Sequence, residues 1–384
     1  MAFTPTRAAG LVTLAGFVER AGSDYAETRN FDHGPGDRRN VSRLSPYLRY
    51  RLITEDEVVG AVRTRHPGVA ADKFVQEVLW RSYWKGWLEL RPSVWTDYLS
   101  DVARLEGQTG GWRRDYDKAV AGRTGIDCFD AWIGELVEHG YLHNHARMWF
   151  ASIWIFTLRL PWQLGAALFD HHLFDGDPAS NTLSWRWVAG LQTAGKTYLA
   201  RADNIARYTG GRFDPVGLAT HAPAIVAPPP VPATMLAVPD PRPTGRVGLL
   251  VGEDDLAPET LGLHGLEIAA VASLGRDGGR AAGVEAFVRA ALDDGRRRAA
   301  ASYRVSDTAL DAAVAAGGWA SEHKLETIVI AHPPVGPGAR IVARMTQELQ
   351  QQGVGVARIR RPWDKRAWPH ATRGYFAFRE RFQA

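Results

Sequence analysis

The sequence predicts two architectures in one chain: an all-helical domain over residues 1–220 and a Rossmann-like parallel α/β domain over residues 246–384. Three observations predict this. Apolar residues recur at helical spacing through 54–65, 71–90, 127–139 and 141–159, with no alternating strand pattern among them. A stretch rich in Pro and Ala at 221–245, HAPAIVAPPPVPATMLAVPDPRPTG, has no amphipathic period. Beyond it, short apolar runs alternate with helical segments, which is the pattern of a parallel sheet.

Each element has its own signal. In the first half, Gly and Pro punctuate the four helical stretches. Residues 221–245 read as a semi-rigid linker or as a segment wrapped on a neighbouring surface. The runs RVGLLVG (246–252), EIAAVAS (267–273), ETIVIA (326–331) and 354–359 read as short buried strands. Helices are predicted over 283–292, over 307–316 with Ser306 as N-cap, and over 339–351 with Gly353 as the stop. The aromatic, basic segment 373–382 reads as a last helix.

Composition narrows the class. With 384 residues there is room for two ordinary domains, and 45% hydrophobic with 23% charged residues predicts a soluble globular protein. No apolar run has membrane-spanning length, and residues 1–22 lack a signal-peptide pattern, so no membrane partner is expected. The single cysteine, Cys128, excludes a disulfide framework and a four-cysteine metal cluster and fits a reducing cytoplasm. A net charge of +4 is compatible with a polyanionic partner. Fourteen tryptophans is a high count, and most lie between Trp80 and Trp187, which asks for a reason beyond core packing.

The densest chemistry lies at 175–187, DGDPASNTLSWRW. Carboxylates such as Asp175 and Asp177 bond sugar hydroxyls, an amide such as Asn181 bonds a heterocycle edge, and indoles such as Trp185 pass electrons. The stretch points to a polar, redox-capable pocket, although either aspartate could also cap a helix. Tyr25 and Arg29 precede Ser42-Arg43-Leu44-Ser45-Pro46, a turn whose hydroxyls and N–H groups suit a diphosphate or cap a helix. In QEVLWRSYW (76–84) a helix puts Glu77, Trp80, Arg81 and Trp84 on one face and Val75, Val78 and Leu79 on the other. That face is a pocket wall that stacks on bases and offers one carboxyl, or a two-sided buried helix with a Glu–Arg pair. In HNHARM (143–148), Asn144, Arg147 and Met148 share a face while His143 and His145 diverge, so no metal site is expected. Trp162 in PWQLG marks a helix–turn junction.

Taken together, these five motifs resemble the FAD-binding domain of the DNA photolyase/cryptochrome family over roughly residues 20–215, closest to class I-like cyclobutane pyrimidine dimer photolyases. The resemblance implies an all-helical domain with FAD at its centre, reduced and anionic when active. It implies that Tyr25, Ser42, Arg43, Leu44 and Ser45 hold the FAD phosphates. Arg81, Asn144, Arg147, Asp175 and Asp177 would line the rest of the cavity, with Asn181 facing flavin N5. It places Arg29, Glu77, Trp80, Trp84, Asn144, His145 and Met148 at the DNA and lesion, with Glu77 as hydrogen-bond partner of the damaged base. Trp185, Trp162 and Trp112 resemble the family's electron-hopping chain.

The implied activity is that of a deoxyribodipyrimidine photo-lyase: light-driven repair of cyclobutane pyrimidine dimers in UV-damaged DNA by an electron from excited reduced FAD. No obligate protein partner is expected. The alternative is a cryptochrome-like blue-light receptor that binds FAD without repair. Family members begin with an α/β domain, whereas here the α/β pattern comes last, so a circular permutation is expected. That half carries no dinucleotide fingerprint, so no antenna chromophore is assigned.

Overall fold

The computed structural model describes residues 3–276 and 278–383. Its first half consists of α1 (Arg7–Val18), α2 (Ser23–Thr28), α3 (Ser45–Arg49), α4 (Glu55–Arg65), α5 (Asp72–Glu89), α6 (Ser93–Glu106), α7 (Arg113–Val120), α8 (Asp127–His139), α9 (Asn144–Ser152), α10 (Trp162–His172), α11 (Pro178–Val188) and α12 (Ala202–Tyr208). Among the described residues before 246 there is no strand. Local chemistry sets the boundaries. Thr54 and Glu57 form a reciprocal capping box at the start of α4. α8 stops at Gly140, whose φ of 59° is the left-handed conformation that glycine adopts without a Cβ penalty. The pattern at 141–159 is not one continuous helix: α9 begins only after His143, and its end widens into a π-turn over Ile153–Thr157. Trp132, Trp149, Trp154, Phe129 and Phe150 are fully buried and form the centre of this bundle.

The second half is a five-stranded parallel sheet of β1 (Arg246–Gly252), β2 (Glu267–Leu274), β3 (Asp307–Ala309), β4 (Thr327–Ala331) and β5 (Gly355–Ile359), in the order β3-β2-β1-β4-β5. Side chains alternate across it. Val247, Leu249, Val251 and Val329 share a core with α13 (Ala282–Tyr303) and with the helical half. Leu250, Ile328 and Ile330 pack instead with α14 (Ala315–Glu322) and α15 (Pro337–Gln351). The chain ends in α16 (Pro362–Ala367) and α17 (Tyr375–Gln383).

One element departs from its sequence pattern. The segment 307–316 is not a helix capped by Ser306; Asp307–Ala309 pairs with Val271–Ser273 as the edge strand, and the helix starts at Ala315. The Ser306 carbonyl accepts from the Val271 N–H at 3.0 Å, so sheet pairing wins over local capping. The predicted helix 283–292 also runs on to Tyr303.

Residues 221–245 carry neither helix nor strand and lie along the surface of both halves. The Thr234 N–H donates to the Leu90 carbonyl at 2.8 Å, Arg91 Nε donates to the Val231 carbonyl at 2.9 Å, and Arg358 grips Asp240 at 2.7 Å.

Candidate functional site

Helix α5 is the spine of the site. It buries Phe74, Val75, Val78, Leu79 and Lys85, and along it Glu77, Arg81 and Lys85 recur at intervals of four residues. Two clusters form along it, and a third lies at the α10–α11 turn.

In the second turn, Arg29 of the α2 C-terminus meets Glu77 at 2.8 Å, both side chains remaining partly open to solvent. Burial pushes the Glu77 carboxyl above its usual range, and the Arg29 charge pulls it partway back. Tyr25 is buried beside this pair, its ring edge-on to Phe17 and Phe74.

In the middle of the helix, Arg81 Nη1 donates to Asp177 at 3.2 Å and Nη2 to the Arg49 carbonyl at 3.0 Å. Arg49 donates to the Gly176 carbonyl at 2.7 Å, and Lys85 Nζ lies 3.7 Å from Asp177. Burial alone would raise the Asp177 carboxyl; Arg81, Lys85 and Arg49 outweigh it and hold the group well below the carboxylate range. Asp177 also caps α11 by accepting from the Ser180 N–H at 2.8 Å, with Pro178 at the first helical position. Burial, assisted by the Arg81 charge, lowers Lys85 to about 8.

The third cluster belongs to the α10–α11 turn. Asp175 accepts from Arg147 at 2.9 Å, and Arg147 Nε holds the Leu142 carbonyl at 3.0 Å. Asn181 is half-buried one turn into α11 and donates from Nδ2 to the Ala166 carbonyl at 2.7 Å, which fixes its amide so that the carbonyl oxygen points elsewhere. Arg43 sits at φ 55°, with its guanidinium 4.6 Å from the Phe3 ring, in the turn before α3.

The chemistry of these donors and acceptors fits a guest with hydroxyls, phosphates and a polar ring. Asp175 Oδ1, Ser180 Oγ and Lys85 Nζ are buried with no hydrogen-bond partner, all on or against one short stretch of α5 and the 175–181 segment. Buried polar atoms left this way are costly unless something completes them. Lys85 and Arg49 were not singled out in the sequence. Lys85 continues the Glu77–Arg81 face by one more turn, a signal that was available. Arg49 had none, because its partners are more than a hundred residues away.

The remaining residues fall as follows. Trp80 is half-buried, with the Tyr375 ring stacked on it at 3.7 Å. Trp84, expected at DNA, is buried behind it. Asn144 is exposed and Met148 half-buried at the start of α9. His143 is buried, accepts from the His145 N–H at 3.2 Å, and is lowered to about 3 by burial. The His145 ring stacks on Trp149 at 4.1 Å and its Nδ1 lies 3.0 Å from the Asn30 carbonyl.

Of the three tryptophans expected in an electron chain, Trp185 has Phe169, Trp154 and Phe150 as ring neighbours, at 5.1, 6.2 and 6.4 Å. Trp162 instead stacks with Tyr98 at 5.7 Å. Trp112 meets Tyr116 at 6.1 Å, and Tyr116 meets Trp154 at 5.7 Å. Gly165 makes the Trp185 position possible, since a Cβ there would lie 2.3 Å from the indole.

Comparison with known proteins gives this geometry a context. Residues 74–220 match the family model described as the FAD binding domain of DNA photolyase. A deoxyribodipyrimidine photo-lyase of Streptomyces griseus is 34% identical over 199 residues, covering 48% of this chain and 42% of that protein. One from Thermus thermophilus is 32% identical over 219 residues, covering 56% and 49%. Among solved structures, a bacterial class III photolyase from Agrobacterium tumefaciens is 27% identical, with a TM-score of 0.46 and coverage of 53% of this chain and 43% of that one. The chain thus spans under half the length of these relatives.

Proposed function

We propose light-driven repair of pyrimidine dimers in DNA for this chain, which belongs to the photolyase/cryptochrome family through its FAD-binding domain and takes FAD as its cofactor. The observation that carries the reading is the division of labour along α5. Its open end carries Glu77 and Trp80, with Arg29 of the α2 C-terminus paired to Glu77, and one turn further in Arg81 enters the charged cluster around Asp177.

On this reading the inner residues hold the cofactor. Asp175 and Asp177, each fixed by an arginine, offer carboxylate oxygens to hydroxyls and ring N–H groups, and Ser180 and Lys85 offer donors to phosphate or carbonyl oxygens. The Ser42–Ser45 turn contributes hydroxyls and N–H groups to the phosphates. When bound, FAD in its reduced, light-excited state would supply the electron that opens the cyclobutane ring.

The outer residues act on DNA. Damaged bases are poorly stacked and cheap to flip out of a duplex. Trp80 provides a face on which a flipped base stacks. Glu77, partly open to solvent and one helical turn from Trp80, hydrogen-bonds the base edge where negative charge develops. Arg29 neutralises the site and a nearby phosphate. Two carbon–carbon bonds break, two pyrimidine double bonds re-form, and the returning electron leaves no net redox change.

The test is illumination of the flavin-loaded protein with a single-stranded oligonucleotide holding one thymine dimer. Dimer loss in blue light and none in the dark is expected. A flavin-loaded protein that leaves the dimer intact in light overturns repair and leaves the photoreceptor reading.

A further inference from the structure

We infer that the C-terminal helix α17 is a working part of the base-binding wall, with Tyr375 as a positioning residue that sets the plane of Trp80. The inference rests on the repair reading above and extends it to a segment more than 150 residues beyond the matched domain.

The ring contact is the starting point. Tyr375 and Trp80 stack with centroids 3.7 Å apart and planes 12° from parallel, the shortest ring separation among the described residues. The Tyr375 hydroxyl donates to the Gln76 carbonyl at 3.0 Å, which fixes the tyrosine along α5 and not merely against one ring. Tyr83 meets both rings edge-on, at 5.6 and 5.7 Å, and closes the side of the stack. Tyr375 is 3% exposed, while Trp80 keeps part of its surface open.

The segment before and after Tyr375 is fastened to successive turns of the same helix. Arg379 pairs with Asp72 at 3.2 Å, Tyr83 Oη donates to the Arg373 carbonyl at 2.9 Å, and Trp363 Nε1 donates to Ser82 Oγ at 2.8 Å. At Gly86 the two backbones come so close that a Cβ would sit 2.9 Å from the Trp368 Cα.

A lone half-exposed indole on a helix surface hops between rotamers, and a stacking platform that moves loses part of its binding energy to ordering. Tyr375 removes that freedom. It covers one face of Trp80, while Trp84 lies tilted at 5.2 Å and Tyr83 edge-on at 5.6 Å, so the part of the indole left open to solvent is already oriented for a planar guest such as a base. Glu77, one helical turn from Trp80, is then held at a defined distance from the edge of that base.

The experiment compares dark binding of a thymine-dimer oligonucleotide by flavin-loaded full-length protein carrying Tyr375→Leu or Tyr375→Phe. The leucine fills space but offers no ring; the phenylalanine restores the ring without the hydroxyl. About tenfold weaker binding for Tyr375→Leu and near-parental binding for Tyr375→Phe are expected, with bound flavin unchanged in both. Tyr375→Met serves in place of the leucine variant if that one does not retain flavin. Equal affinity of the ringless variant and the parent overturns the inference. So does tighter binding by the ringless variant, which would make Tyr375 a plug in the site. Failure of the parent itself to bind the oligonucleotide would strike the repair reading, a separate result.

Discussion

Glu77 meets opposing demands within a few ångströms. Burial favours the neutral carboxyl, and Arg29 at 2.8 Å favours the carboxylate; burial wins, and the pKa lies above the ordinary value. The folded chain therefore binds this proton more tightly than the unfolded chain. The group's contribution to stability is fully present below the unfolded pKa of about 4.3 and is lost as pH rises through the folded value. Glu77→Gln removes the titration. Thermal unfolding should then find the variant more stable than the parent at pH 8 and similar to it at pH 4. A variant less stable at pH 8 would mean that the ion pair outweighs burial. Under the repair reading the same substitution keeps an N–H donor, so it should retain more dimer repair than Glu77→Ala. The local motif around Glu77 was legible because its partners lie on one helix face. Arg29 was legible only as a charge near a turn; its pairing with Glu77 bridges 48 positions.

Among the elements, α10 and α11 show what pattern alone does not carry. Asn181 and Trp185 were readable as neighbours on one face of a helix, and Trp162 as a ring at a junction. Which ring touches Trp185 depends on Gly165, where the missing side chain admits the indole, and on the π-turn that places Trp154 against it. Trp154 is fully buried and donates from Nε1 to the Pro161 carbonyl at 2.9 Å, so nothing in its spacing marks it as different from any core tryptophan. The contacts form a contiguous row from buried Trp185 through Trp154 and Tyr116 to half-buried Trp112. Trp162 joins Tyr98 and Trp95 in a separate row. If electrons reach the cofactor through ring contacts, Trp154→Phe should slow light-driven flavin reduction by an added thiol more than Trp162→Phe does. Stopped illumination with absorbance readout checks this, and a larger effect of Trp162→Phe would restore the row expected from the sequence. The edge strand Asp307–Ala309 is the complementary case. Three exposed residues are too few for an alternating pattern, and only the neighbouring strand turns them from helix start to sheet.

For the whole molecule, the two halves were visible as two hydropathy patterns, but their union was not. It is made by the apolar core that the halves share and by ion pairs between residues that no local window relates. Arg49 reaches Asp254 at 2.7 Å just beyond β1, and Arg51 reaches Asp364 at 2.7 and 2.8 Å in α16. Arg51 holds a left-handed φ of 48°, a conformation costing a non-glycine residue about 1–3 kcal/mol that persists where surroundings over-determine it. Glu253 and Asp255, flanking Asp254, are occupied by Arg280 and Arg361. The crevice at the ends of β1, β2 and β4, where doubly wound sheets take ligands, is lined by Glu253, Asp254, Asp255 and Arg276, and its cavity of about 20 Å³ has room for about one water. We propose that residues 246–384 are a permuted α/β domain, docked on the helical half through these buried pairs.

The linker would then be a tether and not the source of union. A single proteolytic cut within 221–245 should leave both fragments co-eluting in gel filtration at 150 mM salt with flavin retained, because buried pairs are little screened. Asp364→Asn in the cut protein leaves Arg51 buried with its bidentate partner weakened, and removal of one member of a buried pair typically costs about 3–5 kcal/mol. The cut variant should separate at concentrations where the cut parent does not. If the cut parent itself falls apart at micromolar concentration, the linker's surface contacts, and not the arginines, hold the molecule together.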